Sequence, residues 1–305
     1  MRRQPESHFS CLASPFRAAR IPVLLLCATA LVHAQTTARN FLWKVSGPQG
    51  GVVYLAGSVH LLTKSYYPLD PAFESAFRQS DLLIEEVDLG EMMAPESQLQ
   101  LLTRGMLPSS QTLDRVVSAD TFAGVSRRLG ELGLPVEPLK RFKPWALALT
   151  LEAMEWQKAG FDADLGLDKH FYDLAKTQGK QVQGLETLAF QISRFDGMSG
   201  DLQDRLLAQT LKELERTKTA FTTIADAWKA GDAATIERLV LQDLKAEPQM
   251  YDLLLVERNR TWLPKVEALF SRPRPAFVVV GAAHLVGPDG LLRMLASRGY
   301  AIAQM

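Results

Sequence analysis

Between residues 41 and 90 the chain reads in short apolar runs, and it returns to them after residue 275; between lies a long stretch with helical spacing. Phe41 to Ser46 and Gly51 to Ala56 flank the turn-rich Gly47-Pro48-Gln49-Gly50, which predicts a hairpin. Asp70-Pro71 opens a helix, with Asp70 as cap and with Phe73 and Phe77 four apart on one face. Leu82 to Val87 follows as a strand, so strand, helix and strand make a βαβ unit with parallel pairing. From about residue 91 to 262 the pattern is helical; Leu202, Leu206, Leu207, Leu211 and Leu214 form one apolar stripe. A single short strand near 180–186 interrupts it. Ala276 to Val280 is a further strand, Leu291 to Arg298 a helix, and Tyr300 to Ala303 a last strand. The class this predicts is α/β (α+β): a central mixed, partly parallel sheet with flanking helices and a large helical insertion.

The first residues follow a different rule. Arg2, Arg3, Arg17 and Arg20 precede the apolar run Ile21 to Leu31, and Val32-His33-Ala34 offers small residues for cleavage. Residues 1–34 therefore read as a signal peptide cut after Ala34, which directs the remainder, 35–305, to the periplasm or outside the cell. The apolar run is short for a bilayer, so no stable membrane span is expected once it is removed. Both cysteines, Cys11 and Cys27, fall in this leader, which removes disulfides and thiolate metal sites from the exported chain. The whole chain balances 34 basic against 34 acidic residues; without the leader's four arginines and Glu6 the counts are 30 and 33. Such a balance lacks the basic excess that binds nucleic acid.

Charge and composition leave the chemistry open, but the strand ends do not. Gly57-Ser58-Val59-His60 and Gly281-Ala282-Ala283-His284 each follow an apolar strand, and ligands collect at the carboxyl edge of parallel strands. Two imidazoles there need only a carboxylate to complete an open site for a divalent metal. Glu85 and Glu86 stand at the end of an otherwise apolar strand, where neighbouring side chains face opposite ways. A buried acid there calls for a cation, either a metal or an arginine. Glu186, at the end of the insertion's strand, carries the same argument. Arg258 is expected either on the helix surface, or in the crevice, holding an oxyanion or fixing Glu86. His170, mid-helix, reads as a surface or capping residue.

Taken in order, Phe41-Leu42-Trp43-Lys44, Gly57 to His60, Asp81 to Asp88, Lys143-Pro144-Trp145, Gly166-Leu167-Asp168, Gly184 to Thr187, Glu257-Arg258-Asn259 and Gly281 to Leu285 resemble the TraB/GumN family. The resemblance covers nearly all of residues 35–305. Similarity to TIKI-type metalloproteases implies an exported metal-dependent hydrolase acting on a peptide or small-molecule substrate, plausibly a metallopeptidase. His60, His284 and Glu86 would hold Mn, Co or Zn, Glu86 or Glu186 would act as base, and Arg258 would meet the oxyanion. Similarity to erythromycin esterases implies instead a metal-independent His/Glu hydrolase. Similarity to ChaN-like proteins implies a non-catalytic small-ligand or haem-binding protein.

Overall fold

The computed structural model describes residues 39–215 and 218–305. The expected leader lies outside them. Six strands form one mixed sheet in the order β4-β3-β5-β2-β1-β6. They are β1 (Leu42–Ser46), β2 (Val52–Ser58), β3 (Leu82–Glu85), β4 (Gln181–Gly184), β5 (Ala276–Gly281) and β6 (Ala301–Gln304). Helices flank the sheet, so the fold is α/β, as the sequence pattern predicts. The strand sequences match their places. β5 is buried along its whole length and is the most continuously apolar; β4 and β6, at the edges, are short and largely open to solvent.

β1 and β2 form the predicted antiparallel hairpin, whereas β2, β5, β3 and β4 run parallel. β3 is parallel to β2 as the βαβ reading requires, but the two strands are not partners. β5 from the far end of the chain lies between them. Asp70 caps the helix Pro71–Gln79 by accepting from the Ala72 amide at 2.8 Å. Phe73 and Phe77 are buried on its inner face. Phe77, Phe171 and Phe277 pack as a ring cluster, with centroids 4.6 to 5.5 Å apart, and seat this helix and Leu167–Thr177 against the sheet. The helical insertion has its own apolar centre. There Leu207 and Leu211 of Gly200–Leu214 meet Leu147 and Leu151 of Pro144–Lys158 and Val125 and Leu129 of Ala119–Glu131. No described helix is long and apolar enough to cross a membrane.

Two glycines permit close approaches that place the later chemistry. A β-carbon on Gly57 would fall 2.3 Å from the buried Phe41 ring, and one on Gly166 would fall 2.1 Å from the His60 carbonyl oxygen. Gly166 thus lets the helix Leu167–Thr177 begin against the turn that carries His60. Gly57→Ala is expected to lower stability by about 1–3 kcal/mol, because the enclosed ring cannot move aside. The urea midpoint of unfolding reads this, and a midpoint equal to the parent's would show that the strand accommodates a methyl group.

Candidate functional site

Four parallel strands end at one edge of the sheet, and each delivers a polar side chain just past its last residue. His60 follows β2, Glu86 follows β3, Glu186 follows β4 and His284 follows β5. The register keeps them level. Ser58 pairs with Gly281 and Glu85 with Gly184; beyond them the Glu186 amide donates to the Glu86 carbonyl at 2.8 Å. Arg258 arrives from the helix Glu257–Ala268, which continues directly from a π-helical segment, Asp252–Val256. All five residues predicted from the sequence are therefore brought together.

Arg258 is the hub. Its Nε donates to both oxygens of Glu186 at 3.1 and 3.2 Å, and its Nη2 to Glu186 Oε1 at 2.7 Å and Glu86 Oε2 at 2.5 Å. Nη1 reaches the Leu254 carbonyl at 3.2 Å and His284 Nε2 at 3.1 Å. Every N–H of the guanidinium thus has an acceptor, and none is left for a substrate oxygen. Of the roles open at the sequence level, fixing Glu86 is the one this geometry displays. The Glu86 carboxylate also accepts from the Gly281 amide at 2.7 Å. Burial alone would raise its pKa, but Arg258 first, then the charged ring of His60, hold it well below the usual carboxylate range. Glu186 is more deeply enclosed and accepts from Trp262 Nε1 at 2.9 Å; there burial outweighs Arg258 and the carboxyl is raised.

The two histidines differ. Asn259 Nδ2 donates to the carbonyls of His284 and Asp289 at 3.1 and 2.8 Å, which turns Asn259 Oδ1 toward His284 Nδ1 at 2.8 Å. His284 is accordingly a neutral ring with its proton on Nδ1 and its Nε2 lone pair toward Arg258. Burial lowers its pKa to about 3. His60 is instead 57% exposed and has Nδ1 2.8 Å from Asp168 Oδ2, which also accepts from Ser58 Oγ at 2.5 Å. Asp168 is the chief cause that raises His60 to about 9, against an opposing effect of burial. Its Nε2 is left facing open space.

That space is a cavity of about 390 Å³. His60, Glu86, Arg258 and His284 form its polar floor. Trp156, Phe221, Ile224 and Leu239, from the helical region, are among its apolar walls, with Glu152 and Glu213 also on the lining. Gly281 keeps the floor open. A β-carbon there would lie 3.1 Å from Glu86 Oε1 and 3.3 Å from His60 Nε2, so an acceptor and a donor flank one point.

The donor types suit a divalent ion, but in this arrangement most of their lone pairs face N–H groups of the chain. His284 Nε2 faces an Arg258 N–H, and both Glu86 oxygens accept N–H groups. Only His60 Nε2 has no partner, and among the described residues no three His, Cys, Asp or Glu side chains group about one ion position. As arranged, the residues do not fit a metal.

Asp168 and Asn259 have no assigned role in the sequence reading. Asp168 lies in the first turn of Leu167–Thr177, where polar residues ordinarily cap, and Asn259 lies within a continuous helical run, where a polar residue ordinarily faces solvent. Their membership of Gly166-Leu167-Asp168 and Glu257-Arg258-Asn259 was the available signal. Glu85 is buried behind Glu86, with one oxygen accepting from the Leu89 amide at 3.1 Å; burial raises its carboxyl to about 8. His170 stands apart, half-buried with its ring 5.3 Å from that of Tyr67. Lys143 and Trp145 close on Asp196 instead of the site.

Comparison with known proteins finds relatives along most of the chain. The chain is 26% identical over 287 residues to the uncharacterized protein YbaP of Escherichia coli K12, covering 89% of this chain and 99% of that one. It is 28% identical over 255 residues to YbaP of Shigella flexneri, covering 79% and 87%. No solved structure matches significantly. The profile of the TraB/PrgY/gumN family matches residues 41–304, which include every strand and all the site residues above: the chain belongs to that family.

Proposed function

We propose that this protein is an exported hydrolase of carbonyl bonds, foremost peptide bonds, working by proton transfer between His60 and Glu86. The observation that supports it most is the pair of groups flanking the point above Gly281: a carboxylate oxygen at 3.1 Å and an imidazole nitrogen at 3.3 Å, opening on a cavity with apolar walls. In this reading water beside Glu86 gives up a proton to Oε1 as its oxygen bonds to the substrate carbonyl carbon. His60, charged at neutral pH through Asp168, donates from Nε2 to the leaving nitrogen or oxygen as its bond to that carbon breaks. Arg258 and Glu186 position Glu86, and Asn259 holds His284 neutral.

A screen over peptide and ester libraries with the purified protein tests this. Cleavage is expected to survive exhaustive chelation and to fall as pH rises through about 9, since the imidazolium is the active form and is lost above its pKa. Asp168→Asn removes the main cause of that shift. The alkaline limb should then move down toward the ordinary histidine value of about 6.5. An unmoved limb would refute the assignment to His60.

A metal-assisted hydrolase is the second reading, favoured by the 3.9 Å approach of His284 Nε2 to Glu86 Oε1. It requires Arg258 to release both. Cleavage that appears only with Mn, Co or Zn, and binding of the ion that disappears in His60→Ala and His284→Ala, would replace the first reading with this one. A Soret band on adding haemin, with no turnover of any library member, would replace both with a binding protein.

A further inference from the structure

Behind His60 and Glu86 lies a second cavity, of about 410 Å³, and these two side chains line both spaces. Its other lining residues, Gln191, Ala163 and Lys169 aside, are of two kinds. Val87, Leu89, Met92 and Met93 are apolar, whereas Glu85, Asp164 and Asp168 are acidic. Lys169 is the one other cation on the lining, and its ammonium is committed to Asp173 at 2.6 Å.

One atom in this cavity is out of keeping with the rest of the site. Glu85 is only 2% exposed, and while its Oε2 accepts from the Leu89 amide, its Oε1 has no hydrogen-bond partner. Leaving one oxygen of a buried carboxyl group unsatisfied is costly, and such atoms in native proteins commonly mark a place where something binds. Nearby, Arg258 is matched down to its last N–H and both oxygens of Glu86 have donors. Glu85 is on the lining of this cavity, so a donor lodged there can meet the orphan once the side chains around that oxygen give way.

We infer that the second cavity is a subsite for an ammonium group on a short apolar stem, with Glu85 Oε1 accepting from the ammonium and Leu89, Met92 and Met93 enclosing the stem. The inference rests on the hydrolase reading for its meaning: a substrate would extend to both sides of His60 and Glu86, its cationic end in the acidic cavity and its other end between the apolar walls of the first. The same ammonium chemistry is offered by the amino terminus of a peptide and by a lysine side chain.

Calorimetric titration of the purified protein with n-butylammonium, phenylalaninamide and Nα-acetyl-lysinamide reads binding without turnover. At least one of the three is expected to bind, while n-pentanol, of similar size and uncharged, should not. Binding of phenylalaninamide above the lysine derivative identifies an amino-terminal substrate; the reverse order identifies a side chain. Glu85→Gln should weaken binding about tenfold or more, as loss of a charge-assisted hydrogen bond does. Met93 is 46% exposed, so Met93→Lys should fold and supply a competing ammonium from the chain itself, with the same loss. No binding by any of the three amines, or equal binding by both variants, overturns the subsite. Because no bond is broken in the measurement, hydrolysis without ammonium binding would sink this inference alone, and binding without hydrolysis would sink the reading on which it rests.

Discussion

His60→Ala is expected to lower hydrolysis by about 10²- to 10⁴-fold while leaving the fold in place. The side chain is more than half exposed, so its removal opens no cavity in the core, and its one polar partner, Asp168, keeps the Ser58 hydroxyl. What is lost is the sole unpartnered nitrogen on the floor of the first cavity. His284→Ala should behave differently, because that ring is enclosed and tied to Asn259 and Arg258; stability and activity should fall together. Initial rates beside thermal unfolding of the same preparations separate the two cases. Full activity in His60→Ala would end the proton-transfer reading.

The second large effect is on stability. Arg258→Met is expected to destabilise the protein by about 3–5 kcal/mol, since it leaves Glu86 and Glu186 facing each other in the interior without a cation. Arg258 is itself 7% exposed, and solvent cannot take its place without opening the sheet edge. Lysine is no substitute: it offers three donors from one point where the guanidinium spans Glu86, Glu186, His284 and the Leu254 carbonyl. Adding Glu186→Gln to Arg258→Met should recover part of the loss by removing one of the stranded charges. Chemical denaturation of the three variants checks the order, and an unchanged midpoint in Arg258→Met would show that the carboxylates are paired by something else.

The elements that were legible beforehand are those fixed by local pattern. The hairpin, the capped helix from Pro71 and the two Gly-x-x-His turns follow from alternation, caps and glycine, all of which act over a few residues. The insertion of β5 between β2 and β3 was not legible, because strand order is settled by contacts between segments some two hundred positions apart. Arg258 shows a subtler limit. The π-helical turn over Asp252–Val256 breaks the 3.6-residue phase just before it, so periodicity could not say which way its side chain faces. Glu85 and Glu86 were correctly expected to point apart, yet nothing local distinguished the one beside Gly281 from the one behind it. Asp168 was hidden by its position at a helix start, where capping is the ordinary use of an aspartate.

The placement of β5 also sets when the site can form during synthesis. The strand that separates β2 from β3 and supplies His284 is made long after both of them, with the whole helical insertion in between. Until then β2 and β3 have no partner between them, Glu86 lacks the Gly281 amide, and the carboxyl edge is a gap instead of a floor. A chain cut before β5 therefore lacks the floor of the site, which closes only when that strand takes its place.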